Sequence, residues 1–298
     1  ETGRVEGLSV SDGAAASTLT GRNGVILACG GFGRNKELVH KFVPHLDNAQ
    51  FVCGEGNVGD GLKMAWALGA DFRDMAHIKG TFGKHPVDTS NSHSCLCVYK
   101  GAIAVNQEGQ RYVNESLSYK LLGDACLQQA YGCTYQIMDQ DMFEQGDNKD
   151  KIADFERRLE EGLMVRAQTL DELARLFELP AESLRQTVAQ YNTYVELGHD
   201  PDFGRAHLSH TYGQLRKIER PPFYGYPSTA CVYGTYAGLC VDAEMRVLNV
   251  FAEPITGLYA AGEMVGGLHG AAYMSGSGLG KAAIFGRAAA RTACGSAA

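Results

Sequence analysis

The chain has 298 residues and a formal net charge of −7, with 45% apolar and 20% charged residues. This composition is typical of a globular protein, and the acidic balance argues against a nucleic-acid-binding surface, which needs clustered lysine and arginine. The sequence contains no run of about 18 apolar residues and no signal peptide, so we expect no transmembrane segment and a cytoplasmic location.

Strand and helix patterns alternate in the first part of the chain. Residues 3–10 (GRVEGLSV) alternate apolar and polar side chains, and 24–32 (GVILACGGF) form an apolar run that ends in glycines, as a buried strand does when it leaves a sheet. Residues 35–43 begin with an N-cap residue and have helical spacing, and 59–70 form a second helical pattern that closes at Gly69. This alternation predicts an α/β sheet.

The middle of the chain has a different pattern. Residues 101–115 predict a hairpin with a Gln-Glu-Gly turn, 169–179 predict a helix that opens with a capping box, and 180–198 predict an amphipathic helix that starts on proline and ends on glycine. We therefore predict a separate α+β domain over about 80–233.

The last part has short strands followed by the glycine-rich stretch HGAAYMSGSGLG, residues 269–280, which leads into an alanine-rich helix. A glycine turn at a helix N-terminus is suited to anions and polar oxygens. Three better-known motifs fail here. A P-loop needs glycine at Ser275 and serine or threonine at Ala282, a GxGxxG fingerprint needs glycine at Lys281, and a GxSxG hydrolase motif needs glycine at Tyr273.

The glycine and cysteine contents also indicate what kinds of site to expect. Glycine makes up 37 of the 298 residues, above its usual share of about 7%, and its clusters at 30–33, 54–61 and 266–280 indicate tight turns or close ligand approach. The nine cysteines are an odd, scattered set, typical of reduced intracellular thiols. We expect no metal site, because zinc-ligand spacing is absent among the candidate residues His77, His85, His93, Cys95 and Cys97.

Residues 254–291 closely resemble the C-terminal signature of the fumarate reductase/3-ketosteroid dehydrogenase flavoproteins. The resemblance extends back, in family order, through VILACGGFGRN, GEGNVGDGLKMAWALGAD, HPVDT, GAIAVNQEGQRYVNES and AGLCVDAEMRVL. It implies FAD as the cofactor and an α/β, Rossmann-like FAD-binding domain that is incomplete at its N-terminus and carries an inserted α+β capping domain. The FAD-binding domain would comprise 1–79 and 234–298, and the capping or substrate domain 80–233.

Members of this family begin with a strand–GxGxxG–helix unit that holds the FAD pyrophosphate, and that unit is not found in this sequence. We therefore expect that the N-terminal FAD-binding portion is a separate chain that completes the cofactor site, that it was lost, or that it is not included in these 298 residues. Without it, we expect this chain to bind FAD weakly or not at all.

The resemblance also assigns residues to the cofactor. Glu263 would hold a ribityl hydroxyl, and the backbone of 277–279 would meet the pyrimidine edge of the flavin, where a helix N-terminus stabilises the negative charge of the reduced form. The full set of expected FAD contacts is Ala28, Gly30, Gly31, Asp60, Glu263, His269, Ser277, Gly278 and Leu279.

Two tyrosines distinguish this sequence from the fumarate-reducing members, which carry arginines at the positions of Tyr119 and Tyr273 and a histidine near Gly234. The charges that recognise a dicarboxylate are therefore missing. The 3-ketosteroid dehydrogenases match better, because they place a proton-transferring tyrosine at Tyr119, and one branch has a Tyr-x-Ser arrangement like that of Tyr273 and Ser275. His85 matches a substrate-side histidine.

These assignments predict a FAD-dependent oxidoreductase that acts on a CH–CH group next to a ketone, with a hydrophobic ketone or enone as substrate and an unidentified electron donor or acceptor. Its catalytic residues would be Tyr119, Tyr273, Ser275 and His85. Two alternatives remain open: a reductase of an unsaturated carboxylate, and a non-catalytic flavoprotein fragment that lacks FAD.

Overall fold

A computed structural model describes residues 3–11, 13, 15–78, 80–87, 94–209, 213–270 and 273–295. The chain divides into two compact units. Unit 1 comprises Glu1–Asp47, Cys53–Ile78 and Tyr233–Ala298, and unit 2 comprises Asn48–Val52 and Lys79–Val232. The assignment of 1–79 and 234–298 to a FAD-binding domain and of 80–233 to a capping domain stays a prediction.

The regular elements of the described residues are short strands and, with two exceptions, short helices. The strands are β1 (Gly7–Ser11), β2 (Ala16–Thr20), β3 (Val25–Leu27), β4 (Gln50–Phe51), β5 (Phe72–Arg73), β6 (Thr81–Lys84), β7 (Ile103–Val105), β8 (Thr134–Met138), β9 (Val165–Ala167), β10 (Phe223–Val232), β11 (Gly238–Leu239), β12 (Arg246–Leu248) and β13 (Pro254–Ala260). The α-helices are α1 (Lys36–Phe42), α2 (Asp60–Ala67), α3 (Tyr119–Leu127), α4 (Gln140–Phe143), α5 (Phe155–Glu160), α6 (Leu170–Leu176), α7 (Ala181–Leu197) and α8 (Ser277–Ala293). Short 3₁₀ helices span Pro44–Leu46, Cys97–Lys100, Ala130–Gly132 and Gly262–Met264.

Unit 1 is built on a small mixed sheet in the order β12-β13-β3, in which β13 is parallel to β3 and antiparallel to β12. Helix α8 packs against β13. Gly24, just before β3, approaches Gly257 of β13 closely. Its φ is +118°, and a Cβ at Gly24 would lie 2.2 Å from the Gly257 carbonyl oxygen. Strands β1 and β2 form a separate antiparallel hairpin, and β5 pairs with β11.

Unit 2 is organised around the ten-residue strand β10. Its first part is antiparallel to β8 and β9, and its last part pairs antiparallel with β6 and in parallel with β4. Strand β7 completes the sheet beside β8. Helix α3 packs on β6 and β10, and helices α6 and α7 pack on each other. Parallel and antiparallel pairs therefore occur in both units, and the assignment of a capping domain stays a prediction.

Several predicted elements are confirmed at their caps. Helix α1 begins after Asn35, whose side chain accepts from the Leu38 N–H at 3.0 Å. Helix α6 begins after Thr169, whose hydroxyl accepts from the Glu172 N–H at 3.1 Å. Helix α7 ends at Gly198, which has φ of +64°. None of the described helices has the length and apolar character needed to span a bilayer.

The predicted hairpin over 101–115 is wrong in its second strand. Strand β7 forms, but its only contact of strand type with the return segment is a single bridge between Val105 and Arg111. The partner of β7 is β8. In the return segment, the Arg111 guanidinium pairs with the carboxylates of Glu115 and Asp200 at 2.7 and 2.9 Å.

Candidate functional site

The chain leaves β3 through a glycine turn that lies against a carboxylate of unit 1. Gly30 has φ of +82°, and a Cβ at Gly31 would lie 1.8 Å from Thr235 Oγ1 and 2.6 Å from Glu263 Oε1. These two predicted flavin contacts therefore approach Glu263 closely. Ala28, earlier in the turn, is exposed.

Glu263 lies in the 3₁₀ helix Gly262–Met264 and accepts three hydrogen bonds. The N–H and hydroxyl of Thr235 donate to Oε1 at 2.6 and 3.1 Å, and Asn57 Nδ2 donates to Oε2 at 3.0 Å. Asn57 is itself held by the Gly33 N–H, which donates to its Oδ1 at 2.6 Å. A carboxylate offers about four acceptor positions, so Glu263 is oriented by its own unit and retains capacity for one further donor.

The sequence reasoning did not select Asn57 or Thr235. Asn57 stands in one of the glycine clusters, which was the available signal, but its pairing with Glu263 depends on the fold. Asp60, which was selected, is the exposed first residue of α2. The residue before it connects to the glycine turn, because the Gly59 N–H donates to the Gly31 carbonyl at 3.0 Å.

The last four residues of the glycine-rich stretch form the first turn of α8. Gly276, with φ of +86°, is the N-cap, and the Ser277 hydroxyl donates to the Met274 carbonyl at 2.5 Å. The Gly278 N–H donates to the phenol oxygen of Tyr273 at 3.3 Å. The structure thus places the Tyr273 hydroxyl at the positive end of a 17-residue helix.

Other parts of this segment are oriented differently. The side chain of Ser275 is exposed on the turn, and that of Leu279 is exposed on the first turn of α8.

The segment that carries Glu263 lies beside α8. A Cβ at Gly262 would lie 3.7 Å from the Cβ of Ala282. Unit 1 therefore brings Gly30, Gly31 and Glu263 into one polar cluster, with the α8 terminus adjacent to Glu263.

Three aromatic rings pack together at the same terminus. The rings of Tyr236 and Tyr273 stack with centres 5.1 Å apart and an interplanar angle of 10°. The His269 ring lies 5.3 Å from the first and 5.1 Å from the second, and its Nδ1 is 3.4 Å from Ser277 Oγ. Burial, and then the charge of Lys281, lower the pKa of His269. Tyr236 was not selected from the sequence.

Lys281 is a buried cation in the first turns of α8. Its ammonium donates to the Val265 carbonyl, and burial lowers its pKa to about 8, opposed by the carboxylates of Glu263 and Asp74. The lysine that prevented a GxGxxG match is therefore an internal residue that experiences the charge of Glu263.

Tyr119 is the first residue of α3 in unit 2 and is half-buried. The Ser118 side chain caps this helix. The neighbouring Lys120 places its ammonium 5.4 Å from the centre of the Tyr119 ring and donates to Thr81 Oγ1 at 2.5 Å. Burial lowers the pKa of Lys120 to about 8. The predicted proton-transfer residue thus has an internal lysine at its ring face.

His85 follows β6 and is buried. Its ring meets that of Tyr226 edge-on with centres 5.5 Å apart, and its Nδ1 accepts from the Val87 N–H at 3.4 Å. His93 lies outside the described residues. Across the residues that are described, no group of three or more histidine, cysteine, aspartate or glutamate side chains is arranged to hold a metal ion.

The close approach at Gly31 gives a testable expectation. Gly31→Ala should displace Thr235 and Glu263 and destabilise the full-length protein by about 1–3 kcal/mol, the usual cost of overpacking, and the full-length variant should retain less FAD after gel filtration. Gly54→Ala is the matched control, because a Cβ there has no neighbour within 4 Å. Urea unfolding and the flavin-to-protein ratio are the measurements. Equal behaviour of the two variants would contradict the packing described.

Comparison with known proteins identifies a family profile and related oxidoreductases. A sequence profile described as "FAD binding domain" matches residues 1–279. An NADH:acrylate oxidoreductase of Vibrio harveyi is 32% identical over 91% of this chain and 27% of its own length. A fumarate reductase (cytochrome) of Shewanella frigidimarina is 33% identical over 89% of this chain and 44% of its own length.

A solved structure extends the similarity to the fold. The 3-ketosteroid Δ1-dehydrogenase of Sterolibacterium denitrificans, in complex with 1,4-androstadiene-3,17-dione, superimposes with a TM-score of 0.78 at 28% identity, over 98% of this chain and 57% of that one. The chain spans less than half the length of the two curated relatives.

Proposed function

Because the chain belongs to the FAD binding domain family, we propose that it is part of a FAD-dependent oxidoreductase acting on a carbon–carbon bond next to a ketone. The relatives compared above are named for the oxidation or reduction of acrylate, fumarate and a 3-ketosteroid. The observation that carries the choice of a ketone is the neutral phenol of Tyr273 at the N-terminus of α8.

Unit 1 has features that suit FAD. The glycine turn allows a close approach to Glu263, which can accept from a ribityl hydroxyl in addition to its three protein donors. The Ser277 and Gly278 N–H groups already donate to the Met274 carbonyl and the Tyr273 phenol, so the positive end of the α8 dipole is the feature that would suit the pyrimidine edge. Residues 80–233 would form the capping domain. An N-terminal GxGxxG portion, on the same or another chain, would supply the pyrophosphate contacts.

The catalytic groups have separate roles. When bound, FAD supplies the hydride chemistry. Tyr273 and Ser275 would donate to the ketone oxygen, because hydroxyls satisfy a neutral carbonyl without the cost of desolvating a guanidinium. Tyr119 would exchange a proton with the carbon adjacent to the one that exchanges hydride, which balances the transfer in either direction. His85 would be a polar group on the substrate side.

A second candidate is a reductase of an unsaturated carboxylate. It is favoured by the names of the acrylate and fumarate relatives and by Lys120, whose buried ammonium beside Tyr119 could pair with a carboxylate. A third is a flavoprotein fragment without bound FAD. The visible spectrum of the purified protein identifies the third, and turnover of 3-ketosteroids against acrylates with a reduced dye separates the first two.

Charge recognition at Tyr273 can be tested directly. Tyr273→Phe removes one neutral hydrogen bond, so we expect the affinity of the full-length protein for a 3-ketosteroid to fall by about 1 kcal/mol, or roughly fivefold in Kd. Fumarate and succinate should not bind the wild type, because a phenol leaves their charge poorly compensated. Titrations followed by flavin absorbance measure both. Tight fumarate binding, or ketone affinity indifferent to the change, would favour the carboxylate reductase.

A further inference from the structure

We propose that Tyr236 is a positioning residue for Tyr273: its buried ring holds the Tyr273 ring in place and thereby sets the direction of the Tyr273 hydroxyl. The proposal rests on the proposed function in one respect, since the benefit of a fixed hydroxyl is recognition of a ketone oxygen. Its structural part concerns two rings of unit 1 and can be tested without a substrate.

The two rings differ in how firmly their backbones are held. Tyr236 is only 6% exposed. It follows Thr235, whose N–H and hydroxyl are bonded to Glu263, and it precedes β11, which pairs with β5. Tyr273 lies in the turn before α8, outside any strand or helix. Tyr236 is therefore the anchored member of the pair.

The stacking geometry fixes the plane of Tyr273. Ring centres 5.1 Å apart at an interplanar angle of 10° leave little freedom for rotation about the Cβ–Cγ bond. An aromatic pair of this kind favours the stacked arrangement by about 2- to 12-fold. His269 packs against both rings and approaches Ser277, which connects the pair to the start of α8.

The fixed ring has a chemical consequence. In this plane the Tyr273 oxygen accepts from the Gly278 N–H at 3.3 Å. An oxygen that accepts on that side has its own O–H bond directed away from Gly278, so the phenol is presented as a donor. A released ring would lose the Gly278 contact and donate in no fixed direction. Tyr236 would thus influence ketone affinity without touching the ketone.

The first test follows the Tyr273 ring itself. We would introduce 3-fluorotyrosine at position 273 of the full-length protein and record its ¹⁹F resonance in the wild type, Tyr236→Phe, Tyr236→Leu and Tyr236→Met. Phenylalanine keeps the ring, so the resonance should stay in place. Leucine and methionine remove it, so the resonance should move towards that of an exposed fluorotyrosine. Two aliphatic variants are used in case one of them fails to fold.

The second test is a double-mutant cycle read as ketone affinity, with 4-androstene-3,17-dione as the probe. Tyr236→Leu should weaken ketone binding about as much as Tyr273→Phe does, and the double variant should bind no more weakly than either single variant. Tyr236→Phe should bind the ketone with an affinity within about twofold of the wild-type value. An unmoved resonance in both aliphatic variants, or strictly additive losses of affinity, would overturn the proposal. A moved resonance with ketone affinity indifferent to Tyr273→Phe would instead leave the positioning role intact and refute the proposed function.

Discussion

Tyr119→Phe should slow turnover of the full-length protein by about 10²-fold or more, the usual effect of losing a general acid or base. The change removes one hydroxyl and keeps the ring at the start of α3, where Ser118 still caps the helix. Flavin absorbance and substrate affinity should therefore remain nearly unchanged. Steady-state kinetics with a 3-ketosteroid and a dye as electron partner measure the loss as a fall in kcat at constant KM.

Tyr131→Phe is the matched control for this experiment, because Tyr131 belongs to the same unit and is 90% exposed. It should have wild-type kinetics. If Tyr119→Phe turned over at the wild-type rate, the proton would have to come from another group, and Tyr119 would be removed from the mechanism.

Glu115→Ala should destabilise unit 2 by about 3–5 kcal/mol, the cost of breaking a buried ion pair from one side. Glu115 is fully buried and accepts from Arg111 Nε and Nη2 at 2.8 and 2.7 Å. It also accepts from the Ala104 N–H at 3.2 Å and lies 3.4 Å from Arg205 Nη1. Alanine would leave two buried guanidiniums with Asp200 as the remaining carboxylate of this network.

Urea unfolding followed by circular dichroism measures this loss. Glu182→Ala provides the comparison, since Glu182 pairs with Arg185 on the exposed surface of the same unit and such pairs contribute little to stability. Similar stability losses for the two variants would show that the Glu115 network does not hold unit 2 together.

Local signals predicted much of the secondary structure. Helices α1 and α6 were found because an N-cap side chain and helical spacing are adjacent in the sequence, and α7 because a glycine ends it. The second strand of the hairpin predicted over 101–115 was wrong because distant residues decide the pairing. Strand β7 pairs with β8, and Arg111 pairs with Asp200, which is 89 residues away.

The same distinction applies to the candidate site. Family resemblance directed attention to Glu263, Tyr273 and Ser277, which lie in recognisable motifs. It did not direct attention to Asn57, which is 206 residues from Glu263 in the sequence, or to Tyr236, whose role depends on a ring 37 positions later. Asn57 lies in a glycine cluster and in a segment that matches the family, but only the tertiary structure shows that it contacts Glu263 and that Tyr236 contacts Tyr273.

The pairing of β3 with β13 also affects how the protein is synthesised. Residues 25–27 find their parallel partner only when 258–260 have been made, and at about 5–20 residues per second this takes roughly 10–45 s. Throughout that interval the apolar strand β3 lacks its β13 partner, and an unpaired strand edge is the kind of segment that associates with other chains. The nascent protein should therefore depend on chaperone protection until β13 emerges from the ribosome.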